Sequence, residues 1–241
     1  MELVRKLLDV PRRVDLTPQS REEFHRLVHE IGIEDDRKTL QRAEGRLPSA
    51  LAPWLRPALW AYLRYTRGME KQRGNAGELR VGEMLGRLGW RWIVSRSVVL
   101  RDGNSWAEVD LLAIGPGGVC PIEVKHWGHW VKLGIKEAWV WRADTRKWQK
   151  RESPVNQASR GAAAIRRRLH AEGIEAPVMP LVIMVGTQKL ERTRESAEED
   201  LGMPIFYGHL GPRQAMEHLR SLPQALDDGT IRHIVEALRD K

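Results

Sequence analysis

Glu108, Asp110, Glu123 and Lys125 are the residues whose types and spacing could do chemistry together in this chain. Carboxylate oxygens suit a hard cation such as Mg²⁺, which is usually held by one or two of them and keeps waters for reaction. Burying such groups without a partner costs roughly several kcal/mol, so they must pair, neutralise or hold an ion. Two readings follow. In one, Glu108 and Lys125 form a cross-strand ion pair within a structural salt-bridge patch. In the other, Asp110 and Glu123 bind a divalent metal, Mg²⁺ or Mn²⁺, and the spacing favours this second reading.

The element that must position these groups is a hairpin. Two β-rich runs flank Gly115-Pro116-Gly117-Gly118, and Gly and Pro there punctuate the strand pattern as a turn. A loop of those four residues sets Ile114 opposite Val119, Asp110 opposite Glu123 and Glu108 opposite Lys125. Alternation along the strands then projects Glu108, Asp110, Glu123 and Lys125 together. Val109, Leu111, Ala113, Cys120, Ile122 and Val124 make an apolar back face.

Two helices are expected beside the hairpin. Ala76 to Leu88 carries Glu78, Val81, Leu85 and Leu88 on one stripe. Glu78 therefore heads the stripe that meets the sheet, where an acidic residue in the first turn favours the helix dipole. A second helix starts at Ser153-Pro154, where proline is favoured at the first position, and Gln157 lies one turn in. Its Ala158, Ala162, Ile165 and Leu169 point to the sheet, while Arg160, Arg166, Arg167 and Arg168 form a basic flank, either solvated or suited to phosphate oxygens. Trp127 and Trp130 could stack on bases or complete a core. His126 and His129 lack the companions a zinc set needs.

Taken in order, Gly77-Glu78, Glu108-Val109-Asp110, Ile122-Glu123-Val124-Lys125-His126-Trp127 and Pro154-Val155-Asn156-Gln157 resemble the nuclease-related domain family of the PD-(D/E)XK nuclease superfamily. Val109 stands where the superfamily's name has proline. The resemblance covers about Gly74 to Gly186. It implies an α/β fold, a restriction-endonuclease-like mixed central sheet flanked by helices, here with an N-terminal helical extension. It further implies phosphodiester hydrolysis, with DNA the favoured substrate. Mg²⁺ would be held by Asp110, Glu123, the Val124 carbonyl and Glu78, with Lys125 orienting the nucleophile. Gln157 would orient a phosphate or water, and Glu108 would tether Lys125. The competing reading is a nucleic-acid-binding or assembly module that keeps the fold without cleaving.

The remainder bounds these readings. A chain of 241 residues with net charge +8, in which arginine outnumbers lysine, suits a phosphate-bearing partner better than a cationic one. The single Cys120 excludes an internal disulfide. No apolar run approaches the roughly 20 residues that cross a bilayer, and the N-terminus carries no signal-type apolar core, so a cytoplasmic location is expected. Residues 1–73 read as a helical region, with a capping box at Ser20 to Glu23 and an apolar helix over Ala52 to Tyr65, which could hold a homodimer or a protein partner. Residues 74–241 read as the nuclease-related unit. Further expectations are a strand over Trp92 to Leu100, a peripheral hairpin of Ala138 to Arg142 with Lys147 to Lys150, a buried strand over Val178 to Val185, and a charged loop or helix over Glu191 to Asp200. A short strand at Ile205 to Tyr207 and helices over Pro212 to Leu222 and Thr230 to Arg239 close the chain.

Overall fold

Glycine and proline between two apolar runs do fold the chain back on itself at residue 116. In the computed structural model, which describes residues 76–102, 105–193 and 202–239, β2 (Ser105–Gly115) and β3 (Gly118–His126) pair antiparallel with Ile114 facing Val119. The register is the expected one, but the loop is shorter. Gly115 and Gly118 close the ladder, leaving Pro116 and Gly117 as the turn. Gly118 has φ +134°, and a Cβ there would lie 2.7 Å from the Pro177 carbonyl oxygen, so only glycine fits.

Around this hairpin stands a five-stranded mixed sheet in the order β1-β2-β3-β7-β9. It adds β1 (Ile93–Asp102), β7 (Leu181–Val185) and β9 (Ile205–Tyr207). The first two pairings are antiparallel, and β3, β7 and β9 run parallel. Helix α1 (residues 76–85) and α3 (Gly211–Ser221) cover one face, where Val81, Leu85, Ala215 and Leu219 meet Leu111, Ile122 and Ile183. The other face carries α2 (Pro154–Ala171) and α4 (Asp228–Leu238), with Ile165, Leu169, Ile234 and Leu238 packed on Leu112, Ile114 and Val119. Mixed α/β architecture with helices on both faces is as expected. The capping box at Ser20 and the apolar helix over Ala52 to Tyr65 lie outside the described residues.

Two departures matter for the site. Val109 belongs to the α2 layer with Leu112 and Ile114, whereas Leu111 and Ala113 belong to the α1 layer. The expected unbroken apolar back face from Val109 to Val124 therefore does not exist: β2 exchanges faces at Asp110. Across the ladder β1 does the same, for Val94 lies in the α1 layer and Val98 and Leu100 in the α2 layer, with Ser97 between them at φ +49°. The left-handed Ser97, opposite Asp110 where the β1–β2 register skips a pair, lets alternation restart in opposite phase.

The second departure is a separate four-stranded sheet in the order β6-β5-β4-β8. The expected peripheral hairpin is β5 (Glu137–Arg142) with β6 (Lys147–Glu152), and β4 (Trp130–Leu133) and β8 (Lys189–Arg192) extend it. The parallel pair β3 and β7 runs on, after short breaks, into the parallel pair β4 and β8. Strand β8 runs into the stretch from Glu191 to Asp200 that was expected to be loop or helix, because Glu191 and Arg192 pair with Lys132 and Leu133 of β4; residues 194–201 lie outside the description.

Candidate active site

Pairing between β2 and β3 stops at Leu111 and Ile122. In a two-residue hairpin the next hydrogen-bonded partner of Val124 would be the Val109 backbone. Instead the Val124 N–H donates to Asp110 Oδ2 at 2.8 Å, so a side chain takes the place of a backbone carbonyl in the ladder. A strand residue's N–H and C=O lie on the same side, so the Val124 carbonyl opens on the same gap between the strands. Asp110 thus marks the point where the sheet parts.

Glu123 and Lys125 flank Val124 on the α2 side of β3, beside Val182 and Met184 of β7. Glu123 is 5% exposed. Lys125 forms an ion pair with Glu123 and lies 3.8 Å from Asp110 Oδ2. The β2–β3 ladder ends before the register that was expected to set Glu108 opposite Lys125, and Glu108 is solvent-exposed. Glu78 approaches from α1 and is half-buried. Its neighbour Gly77 lies against His126, which also meets Gly186 at the end of β7, so the imidazole spaces α1 from the sheet.

The charges do not balance. Burial first, then the negative charges of Asp110 and Glu108, pushes Glu78 up to about 7. Burial and Asp110 likewise push Glu123 above the usual carboxylate range, although Lys125 pulls the other way. Burial alone would depress Lys125, but Glu123 and Asp110 outweigh it and the net shift is upward. Lys125 and, beside Glu78, Arg96 face the carboxylates of Glu78, Glu108, Asp110 and Glu123, and the surplus negative charge is what a divalent cation or a proton would offset. Among the described residues no three acidic, histidine or cysteine side chains converge closely enough to hold an ion by themselves. An ion here would draw on one or two carboxylates, a carbonyl and water, which is how Mg²⁺ is commonly bound.

Helix α2 supplies a further face of the site. Ser153 is fully buried; its hydroxyl donates to the Gly134 carbonyl at 2.6 Å and accepts from the Val155 N–H, which fixes the start of the helix. Gly161, one turn after Gln157, lets the helix press onto β2: a Cβ there would come 2.8 Å from Val109 Cγ2. Gln157 Nε2 donates to Glu152 Oε2 at 3.3 Å, while its Oε1 is buried without a hydrogen-bond partner. Glu152 also receives Asn156 at 2.8 Å and Arg160 at 2.7 Å. This organising role of Glu152 was missed in the sequence, although its place just before the Ser153-Pro154 cap puts Asn156 and Gln157 within one turn.

Arg160 and Arg167 are exposed on the flank of α2. Arg166 donates to the Val178 carbonyl at 2.6 Å, and Arg168 to the Ala237 carbonyl at 2.9 Å, tying α2 to the strand entry and to α4. Trp127 is half-buried and packs against the cluster of Val131, Val155 and Met184.

Residues 73–185 match the sequence model of the nuclease-related domain, a span that includes Glu78, Asp110, Glu123, Lys125 and Gln157. No curated protein and no solved structure matches the chain.

Proposed function

With residues 73–185 a nuclease-related domain, we propose that this chain is a divalent-cation-dependent nuclease that hydrolyses phosphodiester bonds, DNA being the expected substrate. The observation that carries the reading is the gathering of Glu78, Asp110 and Glu123 around Lys125, where burial first and the neighbouring negative charge second hold Glu78 and Glu123 above the usual carboxylate range. Asp110, Glu123, the Val124 carbonyl and Glu78 are the residues that would hold Mg²⁺ or Mn²⁺. Such an ion polarises a phosphate oxygen and lowers the pKa of a bound water. Lys125, with three N–H donors and no acceptor, positions the attacking water and offsets charge developing on the phosphate. Gln157, its amide nitrogen anchored on Glu152, offers Oε1 to the same water. Arg160 and Arg167 suit phosphate oxygens along the strand, Arg166 and Arg168 keep guanidinium donors beyond the carbonyls they cap, and Trp127 borders the path.

Residues 74–241 form the nuclease unit in this reading, and residues 1–73 a helical region able to hold a second copy or a protein partner. The alternative is a nucleic-acid-binding or assembly module that does not cleave. It is favoured by one observation: Asp110 is already engaged by the Val124 amide and Glu123 by Lys125. Plasmid nicking with Mg²⁺ and Mn²⁺, with Glu123→Ala as control, decides between them. Nicking that the substitution abolishes supports the nuclease. Nucleic-acid binding without nicking under either ion supports the alternative.

A further inference from the structure

The second sheet turns two unlike faces outward and inward. Its inner face, Val131, Leu133, Ala138 and Val140, packs with Val155 and Val182. Alternation sends Trp130, Trp139, Trp141 and Trp148 to the opposite face. All four are only partly buried. A sheet with one face on a core ordinarily presents polar side chains on the other, so four indoles there are the exception that asks for a reason.

Three of them form a platform. Trp148 lies 5.1 Å from Trp130 and 5.4 Å from Trp141 between ring centroids, both edge-on, which holds the rings in place at low entropic cost. Lys189 Nζ stands 4.1 Å from the Trp130 ring centroid, and Lys132 Nζ 4.6 Å from that of Trp148. An ammonium over an indole keeps N–H donors for an anion. Between Trp130 and Glu152 seven lysines and arginines stand against three carboxylates, so the segment is basic as well as aromatic. The face's own ion pairs, Lys189–Glu191 and Lys150–Glu137, are exposed and open at little cost.

Position completes the argument. Trp130 and Lys189 are cross-strand partners at the end of the second sheet nearest the carboxylates: β4 follows Lys125 after a short break, and the Lys189 and Gln188 amides both donate to the His129 carbonyl at 2.8 Å. A duplex hides its base faces, whereas a single strand offers flat bases and phosphates together, the two features that indoles and ammonium groups take up. The geometry points to the Trp130–Trp141–Trp148 face, with Lys132 and Lys189, as a platform for single-stranded nucleic acid leading to the carboxylate site. This rests on the nuclease reading and deepens it: the substrate is single-stranded or carries a single-stranded flank.

The test uses the full chain in chelator, so that binding is read without cutting. The probes are a fluorescein-labelled oligothymidylate and a blunt duplex. The parent protein is expected to bind the oligothymidylate more tightly than the duplex, with quenching of indole fluorescence. Trp148→Leu should weaken oligothymidylate binding about tenfold, on the scale of one lost base stack, and leave duplex binding unchanged. Should circular dichroism reveal that Trp148→Leu is misfolded, Lys132→Gln combined with Lys189→Gln carries the test. It should lower the slope of log affinity against log salt by about 1.4, two phosphate contacts on a single strand. Equal affinity for strand and duplex in the parent overturns the platform, as does unchanged oligothymidylate binding in the folded variants. A dimer that Trp148→Leu converts to monomer, with nucleic-acid affinity unaltered, assigns the face to a second copy and also overturns it. Failure of the nuclease reading is a separate result: a parent that cuts neither probe with Mg²⁺ or Mn²⁺ while still binding through the tryptophans.

Discussion

Lys125 and Lys150 each pair with a glutamate, and they put the same chemistry to opposite uses. Lys125 is 21% exposed and sits between Glu123 and Asp110 at the parting of the central sheet. Lys150 is 61% exposed and meets Glu137 on the open face of the second sheet. Around the first, little water screens the charges and carboxylates outnumber cations, so each proton and ion felt there alters every neighbour. Around the second, water screens a balanced pair that rearranges freely. The confined cluster can drive a reaction; the open face can hold a charged polymer.

The comparison breaks most sharply at Asp110. Asp110→Asn keeps an oxygen for the Val124 amide and removes one negative charge. Cleavage should fall by at least ~100-fold, the scale of losing one stabilising group. Calorimetric affinity for Mg²⁺ should weaken with it, and an unchanged affinity would move the ion elsewhere.

Lys125→Met should come next. Single-turnover cleavage is expected to slow by about 100-fold while metal and nucleic-acid affinity persist. A variant that melts earlier yet cuts normally per folded molecule would make Lys125 a structural partner of Glu123.

A third effect concerns pH in the absence of metal. The Glu78 carboxyl rises from 4.5 to about 7 on folding, and Glu123 shifts in the same direction. Proton binding therefore favours the folded state. The contribution is complete below about pH 4.5 and is lost as pH rises through about 7. The urea midpoint measured in chelator should fall across that window, and Mg²⁺ should flatten the fall. A midpoint that climbs with pH would mean that the carboxylates are already compensated.

The smallest change belongs to the open face. Lys150→Ala should leave the urea midpoint within about 1 kcal/mol of the parent in unfolding free energy, because Lys150 and Glu137 are both well exposed. A larger loss would place that pair in a network closer in kind to the first.

Local signals in the sequence account for the hairpin and its register: Pro116-Gly117 can do little but turn, and period-two apolar runs follow on either side. The stripe of Val81, Leu85 and Leu88 and the Ser153-Pro154 cap were legible for the same reason. What was not legible depends on contacts distant in the chain. The exchange of faces at Asp110 needs Ser97 in a left-handed conformation on the neighbouring strand, and nothing in the type of either residue demands it. Strands β4 and β8 are four residues each and form through pairing across more than fifty positions. The arginines of α2 looked like a uniform basic flank, but Arg166 and Arg168 cap carbonyls that only the folded chain brings near. The candidate site was readable as a set of residues, whereas its charge imbalance came from burial.

The Val124 amide hydrogen is bonded to Asp110 Oδ2 rather than to a strand, so beyond the burial of Val124 its protection from solvent exchange depends on that carboxylate. Its neighbours in β3 are locked by backbone ladders, so its exchange rate follows one side chain and not the opening of the sheet. An ion that pins Asp110 would slow that single amide, and one that draws the carboxylate away would speed it. Deuterium uptake at Val124 thus offers a label-free occupancy gauge for the centre, readable in the resting protein without any turnover.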